Sequence, residues 1–169
     1  EHGGIDIRGT ARALVSNAGG GSTQGGSTLT QQYVKNALLM DAVQRGDDEA
    51  KAEATEQTYG RKAREAKLAI SLEKQWTKEE ILNGYLNVAQ FGPSQYGVET
   101  GAQHYFSKSA KDLNPGEAAM LAGITNGPAI YDPVKHPENG ERRRNDVLRA
   151  MLRDGYITQE EYDQYSTQP

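Results

Sequence analysis

The sequence predicts a mainly α-helical fold. Polar residues that cap helix N-termini recur along the chain, and several are followed three residues later by the Glu or Gln of a capping box. Apolar residues then recur at spacings of three and four, which is the period of a helix face, and few segments alternate as strands do. The 169 residues, of which 36% are hydrophobic, are enough for one domain with its own core.

The first two predicted helices lie on either side of a glycine-rich segment. One covers residues 8–17 and ends towards the glycines at 19–21. The other covers residues 25–40, with Thr28 as its N-cap and Gln31 completing a capping box. Its apolar face is predicted to consist of Leu29, Tyr33, Ala37 and Met40.

Residues 41–59 are acidic and rich in alanine, and no apolar stripe runs along them. We therefore expect a mobile, partly helical insertion close to the functional site. A helix over residues 58–75 follows, and the next one begins after Thr77, with Glu80 in its capping box. The buried face of that helix is predicted to contain Ile81, Leu82, Tyr85 and Leu86.

The C-terminal half is also predicted to be helical. Asn114 precedes a proline at the first helical position, which is a typical helix start, and Thr158 with Glu161 begins the last helix. Residues 128–140 contain two further prolines and predict a long loop. The remaining predicted helices cover residues 98–105, 115–124 and 141–153, the last packing through Val147, Leu148, Met151 and Leu152.

Composition excludes several classes of function. The net charge of −4 disfavours nucleic acid as a partner, because binding to the phosphate backbone needs a basic face. The absence of cysteine excludes disulfides and thiolate metal sites in these residues. No run of eighteen apolar residues predicts a membrane-spanning helix, and no signal peptide is visible.

The junction between the glycine-rich segment and the helix at 25–36 predicts an anion site. Free N–H groups and the helix dipole attract negative charge at a helix start, and glycines let a ligand approach the backbone. Gln32, Lys35 and Asn36 share one helix face at spacings of three and four. The alternative is an ordinary amphipathic helix whose lysine contacts only solvent.

A second charged cluster, Arg61-Lys62-Ala63-Arg64-Glu65, falls in the helix predicted over residues 58–75. Arg61 and Lys62 precede Glu65 by four and three residues, so all three lie on one face. Such spacing most often gives a solvated ion pair worth roughly 0.3–0.5 kcal/mol. The alternative is a carboxylate that stays ionised among cations and helps to hold a phosphate-bearing or metal-linked leaving group.

Five motifs in order along the chain resemble those of a known family. They are His2-Gly3-Gly4, residues 26–36, Arg61-Lys62-Ala63-Arg64-Glu65, residues 78–87 and residues 143–148. Together they are similar to the motifs of the peptidoglycan glycosyltransferase domain of class A penicillin-binding proteins, glycosyltransferase family 51. The glutamate that opens the first motif in that family, and is its proposed general base, would lie upstream of Glu1.

The resemblance implies a bilobed, mainly α domain with a lysozyme-like core, spanning residues 1–169 as a single glycosyltransferase domain. The implied reaction polymerises lipid II into glycan chains with inversion at the anomeric carbon and release of undecaprenyl pyrophosphate. It implies an extracytoplasmic location at the bacterial plasma membrane, with an anchoring helix upstream and a transpeptidase domain downstream. The implied partners are lipid II, the growing glycan strand, the membrane surface and moenomycin-type phosphoglycolipid inhibitors. Without the upstream glutamate, residues 1–169 are expected to bind such inhibitors but to turn over little substrate.

The resemblance also implies roles for individual residues. Lys35 and Arg61 are expected to contact the donor diphosphate, with Lys62 nearby. Glu65 is expected to organise that cationic site or to bind Mg²⁺ or Mn²⁺ bridging the phosphates, rather than to abstract the proton. The cleft is expected to be lined by Ser27, Thr28, Gln32 and Asn36.

Two other functions remain as alternatives. A lysozyme-like or lytic transglycosylase enzyme would cleave glycan with a catalytic acid and would need no cations gathered around a diphosphate. A non-catalytic helical module would dock on anionic lipid and lose affinity steeply with salt. Residues 142–144 are predicted to be a solvated basic face, with lipid binding as the alternative, and the two histidines at 104 and 136 are too far apart in sequence to indicate a metal site.

Overall fold

The structure, a computed structural model, describes residues 28–168. The helix predicted at 8–17, the motif His2-Gly3-Gly4 and the candidate Ser27 lie outside the described residues. The described part forms eight α-helices, and its only β-type pairing is an isolated bridge between Gln90 and Tyr96. The prediction of a mainly α fold is therefore confirmed.

The chain divides into two compact units, Glu1–Val88 and Ala89–Pro169. The described part of the first unit contains four helices, and the second contains four more together with one short 3-10 helix. None of the helices found between residues 28 and 168 is both long and apolar enough to cross a membrane.

The helices of the first unit are arranged around α1, which contacts each of the others. They are α1 (Leu29–Arg45), α2 (Asp48–Thr55), α3 (Tyr59–Glu73) and α4 (Lys78–Val88). The predicted Thr28–Gln31 capping box is present at the start of α1. The helix continues five residues beyond the predicted end at residue 40 and stops at Gly46, which has a left-handed φ of 65°. The mobility expected of residues 41–59 stays a prediction.

The buried face of α1 differs from the predicted one. Thr30, Gln31, Val34 and Ala42 are the buried residues of α1, whereas Leu29 is 40% exposed. The prediction treated α1 as a surface helix with one apolar stripe. Because three helices pack on α1, polar side chains near its start are covered as well, and their hydrogen bonds make that burial possible.

The predicted starts of α3 and α4 are confirmed by their capping bonds. Thr58 accepts a hydrogen bond from the Arg61 amide, and Thr77 and Glu80 cap each other's backbone at the start of α4. Ile81 and Tyr85 are buried as predicted. Leu82 is exposed, contrary to the prediction, because each residue turns the helix by about 100° and Leu82 follows directly after the buried position.

The second unit has a small apolar core formed by its last three helices. Its helices are α5 (Val98–Phe106), α6 (Pro115–Ile124), α7 (Pro137–Arg153) and α8 (Gln159–Ser166), with the 3-10 helix Ala110–Asp112 between α5 and α6. Ala119, Leu148 and Ile157 are buried at the centre. Three further residues of the predicted packing face of α7 contact this centre, as do two tyrosines of α8. They are Val147, Met151 and Leu152 of α7 and Tyr162 and Tyr165 of α8.

Two predictions about α7, its start and its basic face, differ from the structure. It begins at Pro137, four residues before the predicted start, because proline at the first helical position lacks only an N–H that would have no helical partner. The predicted solvated basic face is wrong for Arg144, which is buried and donates a hydrogen bond to the carbonyl of Ser166 at 3.3 Å. Asn145 donates to the same carbonyl at 3.1 Å, so both side chains hold the end of α8.

Candidate functional site

A pocket of about 190 Å³ lies in the first unit and is lined by α1, α2 and α3. Its lining residues are Lys35, Leu38, Asp41, Arg45, Ala50, Glu53, Ala54, Arg61, Arg64, Glu65 and Leu68. Four of these side chains are cationic and three are acidic, which leaves a net positive charge. The others are apolar, so the pocket suits an anionic group attached to an apolar or bulky body.

Three of the four cations in the pocket are already paired with carboxylates. Arg61 pairs with Glu65 within α3, and Arg64 pairs with Glu53 of α2. In α1, Arg45 pairs with the remaining acidic residue of the pocket, Asp41, at 2.8 Å. These pairs neutralise most of the charge that the pocket would otherwise carry.

Lys35 is the fourth cation and differs from the others. Its side chain is half-buried and makes no ion pair with a carboxylate among residues 28–168. A half-buried ammonium without a counter-ion has lost part of its hydration and gains most from an incoming anion. Lys35 therefore supplies the uncompensated positive charge of the pocket.

Arg61 is held in place from two directions. Its Nη1 donates to the Glu65 carboxylate, and its Nε donates to the backbone carbonyl of Glu56, which precedes α3. The pair lies one turn apart on the helix, at the predicted spacing of four. A guanidinium fixed by two acceptors keeps its remaining N–H donors in a constant orientation, which suits recognition of a phosphate.

The pocket brings together three of the sequence-predicted site residues. Lys35, Arg61 and Glu65 all line it. The other predicted residues do not: Thr28, Gln32, Asn36 and Lys62 are absent from the lining, and Thr28 is engaged in the cap of α1. Their roles in binding stay predictions, as does that of Ser27 outside the described part.

Sequence reasoning expected the segment that contains α2 to lie near the site, but it assigned none of its residues, and not Arg64, to the pocket. Ala50, Glu53 and Ala54 belong to the segment expected to form a mobile, partly helical insertion close to the functional site, and they form one wall of the pocket. Their spacing of three and four, which places them on one helix face, was the available signal. Arg64 belongs to the same motif as Glu65 but directly precedes it in sequence. Consecutive residues point about 100° apart on a helix, so the periodicity did not place Arg64 on the face of Glu65.

The acidic side chains do not fit a metal centre built from the protein alone. Nowhere in residues 28–168 do three or more His, Asp or Glu side chains come together as ligands for an ion. Glu65, the carboxylate expected to bind Mg²⁺ or Mn²⁺, is the partner of Arg61. A divalent ion at this pocket would need most of its ligands from phosphates and water.

Comparisons with known proteins agree on one family. The family model described as Transglycosylase matches residues 1–152. Penicillin-binding protein 1A of Streptococcus oralis is 42% identical over 169 residues, which is 99% of this chain and 25% of that protein. Penicillin-binding protein 1A of Aquifex aeolicus (strain VF5) is also 42% identical, over 99% of this chain and 21% of its own length.

A solved structure agrees with the fold. The crystal structure of penicillin-binding protein 1A from Haemophilus influenzae matches with a TM-score of 0.52 and 30% sequence identity. The match covers 82% of this chain and 16% of that one. The likeness supports the mainly α, lysozyme-like class predicted from the sequence. The chain spans a quarter or less of the length of these relatives.

Proposed function

Because this chain belongs to the transglycosylase family of class A penicillin-binding proteins, we propose that it is a peptidoglycan glycosyltransferase that polymerises lipid II. The donor is a glycan attached to undecaprenyl pyrophosphate, and the acceptor is a sugar hydroxyl of a second lipid-linked saccharide. Each cycle forms one glycosidic bond, inverts the anomeric carbon and releases the lipid diphosphate.

The observation that carries this proposal is that Lys35 of α1 and Arg61 of α3 line one pocket. The two residues come from separate segments of the chain, and each lies in one of the motifs that resemble those of the family. A diphosphate carries several negative charges on two adjacent groups, so it requires cations from more than one direction.

The negative charge that develops during the reaction explains why cations line the pocket. As the bond between the anomeric carbon and the diphosphate oxygen breaks, its electron pair stays on that oxygen and negative charge grows on the leaving group. Lys35 and Arg61 would therefore stabilise the transition state more than the ground state. The acceptor hydroxyl loses its proton to a general base, which the family resemblance assigns to the glutamate upstream of Glu1.

Glu65 has a supporting role in this proposal. It is buried, and its carboxylate accepts from the guanidinium of Arg61. A carboxylate used in this way orients the guanidinium, and because it is already bonded to Arg61 it is poorly placed to take a proton from a sugar. A Mg²⁺ or Mn²⁺ ion bridging the phosphates would add positive charge beside Lys35 and Arg61, with most of its ligands supplied by the phosphates and water.

The partners and location follow from the same proposal. The relatives are penicillin-binding proteins four or more times the length of this chain, so we propose a transpeptidase domain downstream in the complete protein. A lipid-linked substrate places the pocket at a membrane surface, here the extracytoplasmic face of the bacterial plasma membrane. Phosphoglycolipids of the moenomycin type carry a phosphate on a lipid and should compete for the same pocket.

Polymerisation of lipid II by the complete natural protein tests the proposal. Lys35→Ala and Glu65→Gln are each expected to reduce turnover by about 10²-fold or more. Near-normal turnover in both variants would contradict the assignment of the pocket.

Two parallel assays separate the alternative functions. Clearing of purified sacculi without lipid-linked substrate would favour a glycan-cleaving enzyme instead. Binding to anionic lipid that survives Glu65→Gln, without polymerisation by the parent protein, would favour a non-catalytic module.

A further inference from the structure

A hydrogen bond joins the two helices that carry the proposed diphosphate contacts, at a distance from the pocket. The Thr30 hydroxyl near the start of α1 donates to the Oε1 of Glu73, the last residue of α3, at 2.5 Å. The partners are 43 residues apart in sequence, and Thr30 is only 6% exposed. Neither residue lines the pocket.

The position of this bond relates it to the site. The start of α1 meets the end of α3, and later residues of α1 share the pocket with earlier residues of α3, so the two helices run antiparallel. Lys35 follows Thr30 by five residues, about 7.5 Å along α1, and Glu65 precedes Glu73 by eight residues, about 12 Å along α3. Moving away from the bond along either helix therefore leads towards the pocket.

The buried apolar side chains of α1 and α3 are small and offer little shape to fix the register of the two helices. Val34 and Ala42 are buried on α1, and Ala69 is buried on α3. The free energy gained by burying apolar area is non-directional, so a directional bond between the helices adds a constraint that apolar burial does not supply. A hydrogen bond from a hydroxyl to a carboxylate is directional, and its geometry fails after a shift of less than 1 Å.

We propose that the Thr30–Glu73 hydrogen bond sets the register of α1 against α3 and so places Lys35 opposite Arg61 for the leaving diphosphate. Thr30 and Glu73 are positioning residues in this inference, since neither of them lines the pocket. The kinetic part of this inference rests on the proposed function. The register itself is a property of the fold and can be measured without substrate.

The kinetic test compares Thr30→Val, which keeps the side-chain shape and removes the donor, with Thr30→Ser, which keeps the donor. In the complete natural protein, Thr30→Val is expected to lower kcat about tenfold or more with KM changed less than about twofold, because sub-ångström misplacement acts on the transition state. Thr30→Ser should retain activity within about threefold of the parent. Thr125→Val is the matched control, since it removes a hydroxyl that bonds only to a carbonyl of its own helix end in the second unit.

A double-mutant cycle tests whether the two side chains act through each other. Glu73→Gln keeps one acceptor oxygen but removes the charge, so its effect should be smaller than that of Thr30→Val. The combination of Thr30→Val with Glu73→Gln should be no worse than Thr30→Val alone. Additive losses would show that the residues act independently and would overturn the inference.

The structural test measures the register directly. Residues 1–169 contain no cysteine, so Gln44→Cys on α1 and Lys67→Cys on α3 add two exposed sites for spin labels to a complete natural protein in which any cysteine outside these residues is replaced by serine. The distance distribution between the labels should be narrow in the parent and in the Thr30→Ser and Thr125→Val backgrounds, and broadened or displaced with Thr30→Val.

The kinetic and structural tests together distinguish an error in the proposed function from an error in the register inference. If the folded parent protein does not polymerise lipid II, the proposed function is wrong. A displaced spin-label distance distribution in Thr30→Val would still show that the Thr30–Glu73 bond sets the register of α1 and α3. An unchanged distribution, together with kcat equal to that of Thr125→Val, overturns the inference while the proposed function stands. Measurements well below the melting temperature of each variant keep loss of folded protein out of both readouts.

Discussion

Arg61 and Glu65 form an ion pair inside α3 in which both side chains are nearly buried, with 11% and 5% of their surfaces exposed. Residues at this spacing on a helix usually form solvated pairs of small energetic value. Here the packing of α1 on α3 and the carbonyl of Glu56 enclose the pair. The pair therefore belongs to the structure of the pocket as well as to its charge.

Removal of the carboxylate should be costly for stability. Glu65→Ala leaves the Arg61 guanidinium buried with the Glu56 carbonyl as its remaining acceptor, and the expected loss in the free energy of unfolding of the first unit is about 3 kcal/mol. Urea denaturation followed by the fluorescence of Trp76, the single tryptophan of the 169 residues, measures it. Glu53→Ala breaks the exposed Arg64 pair and should cost less than about 1 kcal/mol. Equal losses in the two variants would show that burial does not distinguish the pairs.

The charge of Lys35 should matter more than its bulk. Lys35→Ala is expected to weaken binding of a phosphoglycolipid by about tenfold, whereas Lys35→Arg should retain most of it, because an arginine keeps the charge but changes the geometry. Isothermal titration at two salt concentrations should show a weaker salt dependence for Lys35→Ala. Lys67→Ala, an exposed lysine of α3 outside the pocket, is the control. Affinities that are equal for the two alanine variants would remove Lys35 from the site.

The pair between Arg64 and Glu53 should compete with an anionic ligand. Each side chain of this pair is 54% exposed, so the pair is weak and Arg64 can exchange its partner. Glu53→Gln is expected to raise the affinity for a phosphoglycolipid by about two- to fivefold. Glu49→Gln changes the net charge equally on the same helix but at a residue outside the pocket. A comparable gain from Glu49→Gln would assign the effect to overall charge.

Features that depend on residues close together in sequence could be predicted, whereas features that depend on residues far apart in sequence could not. Capping boxes are local, so the starts of α1, α4, α6 and α8 could be predicted from three or four consecutive residues. Burial depends on neighbours distant in sequence: Leu29 and Leu82 are exposed although apolar, and Arg144 is buried although charged. The same distinction applies to the site. Lys35, Arg61 and Glu65 could be proposed from motifs, whereas the wall supplied by α2 depends on tertiary packing.

Gly84, which lies against Tyr33, is expected to be an exception to the stabilisation of helices by glycine-to-alanine substitution. Replacing glycine by alanine inside a helix normally stabilises it by up to about 1 kcal/mol. A Cβ at Gly84 of α4 would lie 2.8 Å from the ring of Tyr33 on α1, so overpacking is expected to outweigh that gain and destabilise the first unit by about 1–2 kcal/mol. Gly60→Ala in the first turn of α3 meets no atom within 4 Å and should be neutral or slightly stabilising. Thermal unfolding of both variants checks the difference in sign, and stabilisation by Gly84→Ala would show that the ring moves freely.

The second unit should lose stability at high pH through Tyr105. Its phenol donates a hydrogen bond to the carbonyl of Phe91 at 2.8 Å. Burial, with a smaller contribution from the nearby Asp132 carboxylate, raises the pKa of Tyr105 to about 12, above its ordinary value near 10. The folded state therefore favours the neutral phenol. The stability that this contributes is complete below about pH 10, and it is lost as the pH rises from there through about 12.

Absorbance at 295 nm tests this expectation. The difference between the parent and Tyr105→Phe isolates one phenol among the nine tyrosines, and its midpoint should lie near pH 12 in the folded protein. In a denaturant the midpoint should return to about 10, because both burial and the fixed carboxylate are lost. Asp132→Asn keeps an acceptor for the Val134 amide but removes the charge, so it should lower the pKa of Tyr105 only partly, since burial is the larger cause. A folded-state midpoint near 10 in the parent would show that water reaches the phenol and that its bond to Phe91 does not protect it.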